Sequence, residues 1–487
     1  MISQYKKILF IVALLTLCFF LVKLVDKYSC TPKAADEEVV KKINDDLFLL
    51  SSKGCSRATA YANMSKIAFV NDVAIISWLG IHDDEFIPTI AVYDLKNKKI
   101  LNRYAFDKSV DNHGGPALVV DSENRIHVFY YPHSQQKVKY KVGTLTNNNE
   151  IIWECKDNIG EPHLTYPNPV YNKDQGLLLF ARKTIVFNDP AYPPPTFGFF
   201  KADENHSQFH EILSSRDSGY ASFFSRILLS DEKIQILSRV LENGDSSNSQ
   251  YRETICYLES TDKGETWQKE NKKKNSCGQR DNLSTDNQQF KNPATADQTS
   301  VIESAGIGNG SDLGVLGMYN NSDGVNAYYM KEQLSDSKII KATKNLNTSK
   351  WSKVAISDSI HPKLEGQRWV QPTGNLIKNK ELVLLVGVLQ DDSIGRMSKW
   401  GHKSNSVVLL VEEKGNCKKL IEFKNKNTCV WFPYIQVNGN DLLLIFTKKG
   451  SDFIITDNNN TQAESKVFLF HIKLNELLNR DFETIFI

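Results

Sequence analysis

The feature that most constrains this chain is a strand-and-turn repeat running from about residue 56 to the C-terminus, with almost no sustained helical period. Runs of β-branched and aromatic residues alternate with clusters of Gly, Asn, Asp and Ser, the pattern of short strands joined by tight turns. A first unit holds strand-like runs at 67–69, 73–79, 89–93 and 100–106, and a second starts at His113 and includes 138–143 and 151–155. A third spans Tyr166 to about Leu213, and a fourth runs from Tyr220 through 233–240 and 254–260 to Trp267. The fifth holds 314–319 and 327–331, the sixth 382–389 and 406–412, and the seventh 431–437, 442–447 and 466–472. Seven units of roughly 45–65 residues, each with about four strands, predict an all-β fold, a seven-bladed β-propeller of four-stranded antiparallel blades. Radial repetition covers sheet edges that an open array of this length would leave unpaired.

In a propeller the innermost strands all run the same way along the channel, so polar residues just before them converge on one mouth. Two consecutive hairpins place polar pairs there. Strand-like runs at 117–120 and 126–131 flank the turn Asp121-Ser-Glu-Asn124, and antiparallel pairing returns His113 and His133 to one end. In the next unit 166–171 and 177–181 flank the turn 172–176, so Tyr166 and Arg182 meet in the same way. A purely structural hairpin has no need of such pairs. The bland readings stay open beside this one: Tyr166 before Pro167 as a packing aromatic, Arg182 as a loop cap with Asp189. His127, in mid-hairpin, reads as a hydrogen-bonded core residue.

A net charge of +2 and a longest basic run of only Lys272-Lys-Lys274 argue against a nucleic-acid partner. Lys6 and Lys7 precede an apolar run at 8–22 that resumes at Leu24 and Val25, and about 18 residues is the lower limit for spanning a bilayer. The expectation is an uncleaved signal anchor, with a cleaved signal peptide as the alternative. The chain then divides into a cytoplasmic tip and membrane-spanning anchor (1–28), a stem (29–55), helical in pattern over 37–50, and the propeller (56–487). Either alternative puts the propeller on the extracytoplasmic side, as a monomer. Seven glycosylation acceptor patterns, at Asn63, Asn205, Asn282, Asn309, Asn320, Asn347 and Asn459, agree with export, although an Asn-rich chain also produces them by chance. No Cys-x-x-Cys pair occurs, and in an oxidising compartment Cys256–Cys277 and Cys417–Cys429 could close local loops.

Ser260-Thr-Asp-Lys-Gly-Glu-Thr-Trp267 matches the Asp-box pattern S-x-D-x-G-x-T-W over its full length. Asp262 can bond turn amides, Gly264 can take positive φ, and Trp267 can pack on the strand, so the motif speaks for fold rather than chemistry. It resembles the repeats of sialidases and related propellers. Taken with Asn112-His-Gly-Gly-Pro116 and Thr165-Tyr-Pro167, the chain resembles the Asp-box (BNR) repeat propeller family that includes ulvan-type polysaccharide lyases, best over 56–267. The resemblance implies catalytic roles for His113, His133, Tyr166 and Arg182, which match that family's two histidines, tyrosine and arginine in order and spacing.

Those residue types suit β-elimination from a uronate. The reaction needs a base for the proton α to the carboxylate, an acid for the departing 4-linked sugar, and a cation for the carboxylate. The implied roles are His113 as base and Tyr166 as acid, or as base for the other epimer. Arg182 and His133 would stabilise the enolate-like intermediate. Tyr220, Arg239, Arg252 and Trp431, with Arg226, are the candidates for sugar contacts, and solvated or packing roles are open for each. No cofactor is called for and no metal-ligand cluster stands out, which leaves only a structural ion held by loops. Two other readings compete. An exo-sialidase would carry an Arg-Ile-Pro motif, for which Ser225-Arg-Ile-Leu228 is a poor substitute. A non-catalytic glycan-binding or adhesion propeller would keep the fold without the chemistry.

Overall fold

Hydrophobic residues with a period of two build the core. In the strand Gly176–Lys183, Leu177, Leu179 and Ala181 pack with Phe129 and Val142 of the preceding sheet. Leu178 and Phe180 point the other way, onto Ile234 and Ile236 of the following one. Both faces are buried, as they are when sheets stand side by side like spokes. The same holds around the molecule, with one apolar cluster between each sheet and the next.

The structure is a computed structural model, and it describes residues 12, 14, 16, 32–34, 41–130, 137–156, 158–159, 164–183, 195–206, 208–216, 225–243, 251–266, 300–304, 312–332, 337–345, 348, 350–362, 366–370, 374–393, 402–449 and 465–487. Among these, the strands form four sheets of four strands, one of seven and one of ten. The innermost strands are β1 (Ile67–Val70), β2 (Ala117–Val120), β3 (Leu164–Asn172), β4 (Ser225–Leu229), β5 (Asp312–Asn321), β6 (Leu376–Asn379) and β7 (Val430–Asn438). Each touches the next, and β7 touches β1. The ring is closed.

Closure joins the two ends of the chain. Leu47–Gly54 pairs antiparallel with Ser465–Lys473, Leu47 opposite Phe470 and Phe48 opposite Leu469, and completes the sheet that begins with β7. This corrects the expectation of a stem over 29–55 with helical pattern over 37–50. Leu47 and Leu50 are fully buried core residues, and Lys33–Ala34 pairs with Lys99–Ala105. The ten-stranded sheet arises because Gly54 lies opposite Gly80, the single pair linking two units. A Cβ on Gly54 would lie 2.7 Å from Val467 Cγ2 on the paired strand, so a larger residue would have to push that side chain aside.

The Asp-box turn lies on the outer part of its sheet, after Tyr251–Ser260. Gly264 N donates to Ser260 Oγ (2.8 Å), Thr266 N donates to Asp262 Oδ1 (2.8 Å), and Gly264 takes φ +91°. Burial acts to raise the Asp262 carboxyl, but the hydrogen bonds from Thr266 and Ser260 hold it below the usual range. Trp267 lies outside the described residues. Cys256 is disulfide-bonded, whereas Cys417 and Cys429 are both free and buried, which overturns a loop closed between them. Among the described residues no helix is long and apolar enough to cross a membrane; of the 8–25 segment only Val12, Leu14 and Thr16 belong to them.

Candidate active site

The site begins with a break in a strand. In β3 the pairing with Gly176–Lys183 slips between Thr165 and Asn168, and Tyr166 takes φ +55° just before Pro167. Proline has no N–H for the ladder, so the bulge falls where pairing is already lost. A left-handed tyrosine costs about 1–3 kcal/mol, and such strain gathers at functional sites. β7 repeats the device: pairing slips between Trp431 and Tyr434, and Phe432 before Pro433 takes φ +52°. Both aromatics reach Tyr61, Tyr166 edge-on at 4.5 Å between ring centroids and Phe432 at 6.0 Å.

His113 arrives from the loop before β2. Its backbone N–H donates to Asp111 Oδ1 (2.8 Å), a local Asx turn that fixes the loop, and its Nδ1 lies 3.1 Å from the same oxygen. Nε2 meets Arg57 Nη1, which also donates to the Tyr61 hydroxyl at 2.6 Å. Arginine can only donate, so Nε2 accepts, and these partners assign the imidazole proton to Nδ1, facing Asp111. The imidazole lies 6.2 Å from the Tyr166 ring, the Tyr166 hydroxyl donates to Tyr61 Oη at 3.5 Å, and Arg182 Cζ sits 5.0 Å from the Tyr166 ring centroid. His113 is partly exposed, while Tyr166 and Arg182 are buried. Burial pulls the Arg57 guanidinium down, but the neighbouring Tyr61 and Tyr166 hydroxyls leave it above its ordinary value.

Behind the loop stands Lys66, with no exposed surface. Its Nζ donates to Pro116 O (2.7 Å), which also accepts from Ser77 Oγ (3.3 Å), and so ties the His113 loop to the first sheet. Burial pushes the amine down to about 7, with Cys55 opposing slightly.

Three of the four residues singled out in the sequence, His113, Tyr166 and Arg182, thus come together; His133 lies outside the described residues. Tyr220 does too, and Arg252 falls in a described strand with its side chain outside that set. Arg239 is buried, one residue beyond the Ser225–Ser238 pair that marks the start of β4. Trp431 is corrected: it is fully buried, its ring 4.2 Å from that of Phe432, so its faces are taken by protein and not open to a sugar. Arg226 also misses the mouth, because its Nε and Nη2 donate to the carbonyls of Leu316 (2.9 Å) and Gly374 (3.0 Å). Arg57, Tyr61 and Lys66 were missed in the sequence. The rule that polar residues before an inner strand reach the mouth, applied to β1 as it was to β2 and β3, would have found the first two.

Among the described residues one group has metal-ligand geometry: Asp121, His127 and His206, with ligand atoms within 4.8 Å of one another. Each is already engaged. Arg125 Nε donates to Asp121 Oδ2 (2.6 Å), which faces His127 Nε2 (3.0 Å), and His127 Nδ1 faces the Tyr140 hydroxyl (2.7 Å). His206 Nδ1 accepts from Arg125 Nη2 at 3.3 Å. A guanidinium competes for the carboxylate and one imidazole, so the group fits a closed hydrogen-bond network better than a cation site, and His127 is the core residue its place in the hairpin suggests.

The model of the BNR repeat-containing family matches residues 73–357, over half of the chain. The chain belongs to this family. No curated protein matches it. Similar solved structures include the polysaccharide lyase Uly1, at 12% identity and a TM-score of 0.54, covering 88% of this chain and 99% of that one. A PL25 ulvan lyase bound to -[GlcA(1-4)Rha3S]- is similar at 13% identity and a TM-score of 0.54, covering 88% of this chain and 98% of that one. At such identities the likeness is one of fold, and this BNR protein takes the β-propeller architecture that the family implies.

Proposed function

We propose that this BNR protein is a polysaccharide lyase that cleaves uronate-containing glycans by β-elimination at the mouth built by His113, Tyr166 and Arg182. The observation that carries the reading is the meeting of these groups: an imidazole 6.2 Å from a phenol ring, with a guanidinium 5.0 Å over that ring. Arg182 pairs with the uronate carboxylate and makes its α-proton more acidic. His113 Nε2 takes that proton once the incoming carboxylate draws Arg57 off it. Tyr166 protonates the departing glycosidic oxygen, the C–O bond breaks, and the unsaturated sugar forms. His133, with Arg182, stabilises the enolate-like intermediate. The likeness to lyases of this fold supports the reading.

The finer architecture follows the same proposal. The ring β1–β7 reads as seven blades, the ten-stranded sheet counting as two, with the apolar segment near the N-terminus anchoring the propeller on the far side of a membrane. The test is to incubate the protein with a panel of uronate-containing polysaccharides and follow the ultraviolet absorbance of unsaturated ends. A rise that depends on protein supports the lyase. Release of free sialic acid from a reporter substrate, or binding on a glycan array without turnover, would overturn it.

A further inference from the structure

Beyond the mouth, the channel contains a second polar site. β1, β2, β3, β4, β6 and β7 together line a cavity of about 500 Å³ along the inner strands. His113, Tyr166 and Arg182 are not among its lining residues. Arg226 is. Its two carbonyl bonds, to Leu316 and Gly374, hold the guanidinium in the channel wall and leave further N–H donors unspent. Among the described residues no carboxylate pairs with it, and the phenol of Tyr434 is the titratable group that acts on it. Asn63, 3% exposed, lines the same cavity, and neither Nδ2 nor Oδ1 finds a protein partner. Gln436 Oε1, on the same wall, is unpartnered too, whereas Asn168 Nδ2 donates to Ser225 O and Asn375 bonds both N and O of Ile435.

Water can satisfy an orphaned amide, but it supplies no counter-charge. Arg226 is half-buried in the channel wall, and a charge partly withdrawn from bulk water is ordinarily paired. Burial accordingly lowers Arg226 only to about 10, so it stays a cation at neutral pH. We propose that the channel is an anion site in which Arg226 and the Asn63 amide hold a small monoanion of halide or carboxylate type. The two carbonyl bonds fix the cation in place, and the anion supplies the charge that the protein wall lacks.

Chloride is the probe. The excess ³⁵Cl line width that the protein produces in sodium chloride is measured for wild type, Arg226→Met, Arg226→Lys and Asn63→Leu, then with formate added as a competitor. Surface lysines contribute equally to all four. The expected result is a large loss of excess width in Arg226→Met, retention in Arg226→Lys, displacement by formate, and about tenfold weaker chloride affinity in Asn63→Leu, as the loss of one charge-assisted hydrogen bond gives. Asn63→Leu is nearly isosteric and removes only an unpartnered amide, so it decides the matter if Arg226→Met does not fold. Equal excess width in wild type and Arg226→Met, or no effect of Asn63→Leu and formate, would overturn the site.

Discussion

Replacing Lys66 with methionine should make the protein more stable at neutral pH and remove a specific part of its pH dependence. Lys66 is fully enclosed, and among the described residues no carboxylate pairs with it. Burial holds its amine at about 7, against 10.5 for a free lysine. Between those values the unfolded chain binds one proton that the folded chain does not, so folding strengthens as pH rises through the window. The gain is about 1.4 kcal/mol per pH unit, or about 2.7 kcal/mol between pH 7.5 and 9.5. It is complete above the unfolded value and lost as pH falls to about 7. Lys66→Met removes this slope along with the donor to Pro116 O, which keeps Ser77 Oγ at 3.3 Å, a loss of about 1 kcal/mol. Urea unfolding followed by tryptophan fluorescence at pH 7.5, 8.5 and 9.5 gives both curves. The variant should be the more stable at pH 7.5, with the difference closing toward pH 9.5. Parallel curves would refute the reasoning, because they would mean that Lys66 keeps its proton in the fold.

Removing residues 1–54 takes away the strand that closes the ring, with its buried Leu47 and Leu50, and should abolish cooperative unfolding in a thermal melt; an unchanged melt would mean the ring closes without it. Asp262→Ala deletes the acceptor for Thr266 and Ser260 in the outer turn, and should lower stability by about 1–2 kcal/mol in urea while leaving glycan turnover unchanged. His206, held at about 4 chiefly by burial and then by His127 and Arg125, refuses a proton that the unfolded chain accepts near 6.5. Its contribution is therefore present above about pH 6.5 and lost as pH falls toward 4, and His206→Gln should flatten that acid limb of the stability curve.

The architecture was legible because period-two hydrophobic runs and turn residues recur along nearly the whole chain. What escaped notice lay where periodicity says little. Leu47–Gly54 looked like a stem because the N-terminal strand of a closed ring pairs with the far end of the chain, and no local signal records that partner. The inner strand β6 was missed for its brevity, four residues at Leu376–Asn379. In the candidate site, His113, Tyr166 and Arg182 were found because hairpin symmetry predicts which residues meet. Arg57 and Tyr61 were not, because they precede the β1 hairpin by a longer loop than the one that carries His113 into β2, and hairpin symmetry alone gives them no partner. Trp431 showed its aromatic character in the sequence but not which way it faced. The bulge at Phe432-Pro433 turns the local pattern so that Phe432 reaches Tyr61, while Trp431 is enclosed beneath it.

In the proposed reaction the His113 imidazole and the Tyr166 hydroxyl act on one sugar. Turnover of a uronate-containing polysaccharide by wild type, His113→Gln and Tyr166→Phe, with melting temperatures measured on the same samples, tests this most directly. Each substitution should slow formation of unsaturated ends about 10²–10⁴-fold while the melt moves little. Turnover in Tyr166→Phe close to that of wild type, in a protein that melts at the same temperature, would contradict that reaction.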